Sequence, residues 1–149
     1  MLPFDLVAAV APVSVAPKRE LLLRVRDLEA RALAVRTTCA VACLQDARFV
    51  TPWTREVYRT LASRGARVLM YARGLQAYVA EGVAGVDLED EDPLADEWTV
   101  LFEGDEPVCL AARDLQGPGT VEDRSFDHAI TYDPAVVRAV AASLGVQLP

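Results

Sequence analysis

The sequence predicts an α/β fold with α+β character: a single mixed β-sheet of about five to six strands with flanking helices. A parallel crossover is expected in the N-terminal half and an antiparallel meander in the C-terminal half. Three observations lead there. An apolar β-branched run, a punctuated helix and a second apolar run follow one another between residues 38 and 71, the order of a right-handed parallel crossover. From residue 97 onward three strand-like runs alternate with short polar or glycine-bearing connections. A helix with both a start and a stop signal closes the chain.

Residues 18–36 read as the first helix, because Leu21, Val25, Leu28, Ala32 and Val35 recur at intervals of four and three and form one apolar stripe. Arg19, Arg24, Arg26 and Arg31 then fall largely on the wet side. Residues 38–44 are short, apolar and thiol-bearing, which suits a buried strand. In the next helix Thr51 is the cap and Pro52 fits the first turn. Trp53, Val57 and Leu61 share a face, and Gly65 is expected to stop the helix. Residues 66–71 form the second strand; residues 75–81 suggest a short helix and 83–88 a short strand. The meander comprises 97–103, 107–115 and 125–132, with Gly104-Asp105-Glu106 and the Gln116-Gly117-Pro118-Gly119 loop between them. Asp133 caps and Pro134 opens the last helix; Val137, Val140, Ala141 and Leu144 make its stripe, and Gly145 ends it. With neither an internal repeat nor a low-complexity linker, residues 1–149 read as one domain.

Composition narrows the function. The chain is 52% hydrophobic and 25% charged, enough apolar material for a real core. No run approaches the roughly 20 apolar residues of a membrane span. The apolar segment 2–16 is broken by Pro3, Asp5 and Pro12 and lacks a preceding basic residue, so it does not read as a signal peptide and a cytoplasmic protein is expected. Cys39, Cys43 and Cys109 read as buried free thiols. Residues 1–73 hold 12 basic against 6 acidic groups, and residues 74–149 hold 3 against 16. The halves are expected to offset one another, and a net charge of −7 argues against a general nucleic-acid binder.

Neither catalytic nor metal-binding residues emerge. Cys39 and Cys43 lack zinc-knuckle spacing, and the only histidine is distant from both. The acidic stretch from Asp87 to Glu97 lacks a central glycine, is stiffened by Pro93, and reads as a solvated loop. The serines stand in no nucleophile elbow, and no glycine-rich phosphate loop precedes a helix. Lys18, the only lysine, lies in a first helical turn among polar neighbours, a poor setting for a desolvated amine. Gln45, Arg48, Phe49 and Trp53 lie where a strand passes into a helix, the sheet edge at which open α/β folds bind ligands. Arg48 can pair with an anion, and Phe49 and Trp53 either wall a pocket or seal the helix against the sheet. Period-two alternation puts Phe126, His128, Ile130 and Tyr132 on one strand face. His128 there is either a core histidine with one satisfied hydrogen bond or a ligand-contacting group, and Tyr132 is a further candidate contact.

Taken together, these residues resemble the DICT sensory domain, a family of bacterial modules found beside diguanylate cyclases and two-component proteins. The matching pieces span nearly the whole chain. They are Phe4 and Ala16-Pro17-Lys18-Arg19, the Asp27–Leu33 segment, Gln45, Arg48 and Phe49 leading to Arg55, Tyr58 and Leu61-Ala62, then Asp92-Pro93-Leu94 with Glu97-Trp98. Ala112-Arg113-Asp114-Leu115, Arg124-Ser125-Phe126-Asp127 and Thr131-Tyr132-Asp133 complete the series. The resemblance implies a signal-input role acting in trans on a separate output protein, without catalytic residues and with no known ligand or cofactor to transfer. The alternative is an interaction or dimerisation module without a small-molecule ligand, docking through Arg19, Arg24, Arg26 and Arg31 or through the acidic loop.

Overall fold

Strand β2 (Thr37–Asp46) is the axis of the molecule, buried from Cys39 to Gln45 as a near-continuous apolar run requires when helices cover both faces. In the computed structural model, which describes residues 1–117, 120 and 123–146, one sheet extends from it in both directions. On one side β2 pairs in parallel with β3 (Arg67–Arg73), reached through helix α3 (Pro52–Ser63), and β3 pairs in parallel with β5 (Val83–Leu88). On the other side β6 (Glu97–Gly104), β7 (Val108–Asp114) and β8 (Ser125–Thr131) form the antiparallel meander. Two further strands, β1 (Ser14–Pro17) and β4 (Tyr78–Ala80), occupy the edges, giving the order β1-β8-β7-β6-β2-β3-β5-β4.

The sheet therefore has eight strands rather than five to six, while the α/β class and both connection types agree with the sequence. The two additions are short edge strands whose sequences carry little alternation. Residues 75–81, expected as helix, instead contain β4. Their backbone folds back over Gly85, where a Cβ would come within 2.1 Å of the Gln76 carbonyl, and the Gly85 N–H donates to the Ala77 carbonyl at 2.9 Å. Gly82, with φ of +78°, turns the hairpin, so the local helix preference yields to a close approach that only glycine permits.

Helices α2 (Lys18–Ala34) and α3 pack on one face, with Leu21, Val25, Val57, Tyr58 and Leu61 meeting Val100, Phe102 and Phe126. Helices α1 (Pro3–Ala8) and α4 (Pro134–Ser143) cover the other, where Phe4, Val7, Val137 and Val140 meet Val41, Leu101 and Ala111. The caps follow the sequence: Thr51 accepts from the Thr54 N–H at 3.2 Å and Asp133 from the Ala135 N–H at 2.9 Å. The acidic and basic halves also meet, through Arg19–Asp123, Arg31–Glu106 and Arg36–Asp105. Pro118 and Gly119 of the expected loop lie outside the described residues. All three cysteines are buried thiols, and among the described residues no helix is long and apolar enough to cross a membrane.

Candidate functional site

The carboxyl ends of β2, β3 and β7 and the starts of β6 and β8 lie at the same end of the sheet. There β2 is bulged between Cys43 and Asp46, and Gln45 is held at φ +69°, a left-handed conformation costly for a residue with a long side chain. The buried Gln45 side chain donates to the Asp114 carboxylate at 3.2 Å. Asp46 then accepts from the Arg48 N–H at 2.9 Å, closing a 3-10 turn over Ala47–Phe49 that swings Phe49 back over the helical layer.

Between α2, this turn and the first turn of α3 lies a cavity of about 160 Å³. Leu22, Val25 and Leu44 line it together with Phe49, Trp53 and Trp98, and Gln45, Arg26 and Arg48 reach its edge. Two ionisable groups project from α2 into this apolar setting. Lys18 is 9% exposed, its ammonium nitrogen 3.4 Å from the Phe49 ring centroid and 6.0 Å from that of Trp98, a cation–π arrangement. Glu29 is 4% exposed, and burial pushes its carboxyl up to about 7, against smaller downward effects of Tyr58, Arg26 and Trp53. The Tyr58 hydroxyl is itself buried and faces Glu29 without reaching hydrogen-bond geometry; burial drives its pKa well upward.

Across the Arg48–Phe49 turn is a polar cleft of about 230 Å³. Asp114 accepts there from Gln45, from the Gln116 N–H at 2.7 Å and from Arg124 at 3.0 Å. Asp96 accepts from Gln116 at 3.1 Å and from Arg73 at 3.4 Å. The Arg124 Nε is buried without a hydrogen-bond partner among the described residues.

Gln45, Arg48, Phe49 and Trp53 are thus brought together, and His128 and Tyr132 are not. Trp53 is 56% exposed, whereas Val57 and Leu61 are buried, and it lines the cavity. His128 shares the helical face with Phe126 but lines neither cavity. It is buried beside β1, burial and the Arg24 charge lower its pKa, and its Nδ1 has no hydrogen-bond partner among the described residues. Tyr132 lies past the end of β8, is 62% exposed, and borders a separate groove with Leu28 and Pro107. Of the four arginines on α2, Arg19 and Arg31 are engaged with Asp123 and Glu106, while Arg24 and Arg26 are exposed.

Sequence reasoning missed Lys18, Glu29 and Trp98. A signal existed: positions 18, 22, 25, 29 and 32 share one face of α2, so a lysine and a glutamate interrupt the buried stripe. Lys18, expected among polar neighbours, is in fact sandwiched by aromatic side chains.

Neither a family model nor a curated protein sequence matches the chain. Solved structures do. NucT from Helicobacter pylori aligns at TM-score 0.60 with 9% identity over 91% of this chain and 94% of that one. Nuc from Salmonella typhimurium, a phospholipase D family member, aligns at 0.57 with 12% identity over 91% and 92%. Polyphosphate kinase from Porphyromonas gingivalis aligns at 0.58 with 13% identity over 98% of this chain, which spans only 25% of the kinase. TrmBL2, described as an archaeal chromatin protein with a novel mode of DNA binding, aligns at 0.54 with 13% identity over 95% of this chain and 56% of its own. The likeness is one of fold.

Proposed function

We propose that this chain is a signal-input domain that binds a small organic molecule in the cavity between α2 and α3 and passes its occupancy to a separate output protein. The observation that carries this reading is the burial of Lys18 and Glu29 around a hollow walled by aromatic rings. A hollow whose lining combines aromatic rings with an ammonium, a carboxyl and an amide offers a small organic molecule both apolar contact and polar anchor points. The left-handed Gln45 beside the hollow fits the same reading, since strain concentrates at working sites. The resemblance to DICT sensory domains supports the role of input module. The helix that contributes Lys18 and Glu29 also carries Arg19, Arg24 and Arg31 on its outer side and Arg26 at the cavity edge, so a ligand that reseats α2 alters the surface offered to an output partner.

A catalytic reading draws on two fold neighbours, a polyphosphate kinase and a phospholipase D family member. Against it, His128 is remote from the cavity, and burial raises the thiol of Cys39 to about 11 and that of Cys43 well above its ordinary value. A polyanionic nucleic acid is disfavoured by a net charge of −7. The test is a thermal-shift screen with nucleosides, nucleotides, flavins and aromatic acids, repeated on Leu22→Phe, which narrows the hollow. A stabilising compound whose effect disappears in Leu22→Phe supports the proposal. A compound that stabilises both proteins equally binds elsewhere and removes the cavity from the reading.

A further inference from the structure

On the face of the sheet opposite the cavity, we propose a proton-controlled strap: helix α1 stays docked while the Glu97 carboxyl under its first turn is neutral, and lifts when that carboxyl ionises. Glu97 lines neither the cavity nor the cleft, so the strap stands apart from the ligand-binding reading.

The Glu97 side chain is fully buried, its Oε1 accepts the Phe4 N–H at 2.9 Å, and its Oε2 is buried without a hydrogen-bond partner among the described residues. Once ionised, that second oxygen carries charge out of water with no donor to meet it; neutral, it leaves at most a hydroxyl unmet, a far smaller cost. Arg113, in register with Glu97 on β7, turns its guanidinium to Asp5 at 2.8 Å and lies over the Phe4 ring, with Asp127 of β8 beyond it in the same row. The other groups around the carboxyl are Asp5 from α1, Asp96 from the 3-10 turn Pro93–Asp96, and the Cys43 and Cys109 thiols. Asp92, the cap of that turn, accepts the Leu94 N–H, and the single charged residue of α4, Arg138, pairs with Glu103 further along β6. Burial pushes the Glu97 carboxyl up to about 7 against the Phe4 N–H and Arg113, and Asp5 and Asp96 add to the rise.

The helix above this carboxyl is weakly held. It is six residues long, its buried side chains are Pro3, Phe4 and Val7, and the segment Ala9–Val13 that leads from it to β1 is largely exposed. So short a helix is not stable in water by itself, and lifting therefore also melts it and bares the apolar floor around Leu101 and Ala111. Docked, the carboxyl keeps its proton up to about pH 7; lifted into water, it does so only up to its ordinary 4.5. Docking is thus firmest at low pH, weakens as pH rises through 7, and changes little beyond.

Hydrogen exchange of the full chain, followed by NMR and corrected for intrinsic rates, tests this at the Ala9 and Ala11 amides, which donate to the Asp5 and Val7 carbonyls of α1. Their protection should fall about twentyfold from pH 5.5 to pH 8, while the Val140 and Ala141 amides of α4 keep theirs. Glu97→Gln, which mimics the neutral carboxyl, should leave α1 protected at both pH values. Equal protection of α1 in the parent at the two pH values overturns the strap, as does an equal fall in α1 and α4, which would report opening of the whole molecule. An unchanged pH response in Glu97→Gln overturns the assignment to that carboxyl.

Discussion

The two faces of the sheet each bury a glutamate whose carboxyl is pushed up to about 7 by burial, yet the two groups do unlike things. On the face covered by α1 and α4, Glu97 accepts the Phe4 N–H at 2.9 Å, and the Arg113–Asp5 pair at 2.8 Å lies beside it with Arg113 over the Phe4 ring. That carboxyl pins the first turn of α1, and it lines none of the spaces described above. On the opposite face Glu29 borders a hollow, with Lys18 and three aromatic rings around it. A raised carboxyl pKa is therefore not in itself a mark of a ligand site; the space beside the group decides.

This contrast can be broken most strongly by truncation. Leu101→Ala on the closed face should cost about 2–5 kcal/mol, as for any fully buried leucine, whereas Leu22→Ala at the cavity wall should cost less than about 2 kcal/mol because it enlarges an existing hollow. Urea midpoints at constant m-value compare them, and equal losses would mean that the α2–α3 face is as tightly packed as the other.

The pH dependence comes next. For both glutamates the folded pKa, about 7, lies above the ordinary value of 4.5, so the folded state holds its proton more tightly between those limits. The resulting stabilisation is fully present at low pH and is lost as pH rises through about 7. Glu29→Gln and Glu97→Gln should each gain on the parent by up to about 2 kcal/mol between pH 5 and pH 8. A parent-minus-variant difference that does not change with pH would show that the carboxyl titrates normally.

A third comparison uses the caps. Thr51→Ala on the hollow face and Asp133→Ala on the closed face should each cost about 1 kcal/mol, read from thermal midpoints. The smallest stability effect belongs to Trp53→Ala, under about 0.5 kcal/mol because the side chain is mostly exposed, although ligand binding should weaken.

The central crossover and the meander were legible because their strands are long, apolar and flanked by strong punctuation such as Thr51-Pro52, Asp133-Pro134, Gly65 and Gly145. The edge strands were not. β1 and β4 are four and three residues long, and β4 exists because Gly85 lets residues 75–77 approach, a tertiary fact that leaves one glycine as its trace. At the candidate site, Arg48, Phe49 and Trp53 were found by their position after β2, which topology dictates. His128 and Tyr132 were grouped with them by strand alternation, which fixes a face but not the distance along it. Lys18 and Glu29 were overlooked because charge was read as exposure, when their spacing along α2 set them on the buried stripe.

The chain has two tryptophans, Trp53 and Trp98, and both line the cavity, so intrinsic fluorescence reports on that site alone. Titrating the full chain with the compounds that stabilise it in the thermal-shift screen while following tryptophan emission should give a saturable change that is diminished in Trp53→Phe and lost in Leu22→Phe. Binding detected by calorimetry with no change in tryptophan emission would contradict occupancy of the hollow between α2 and α3.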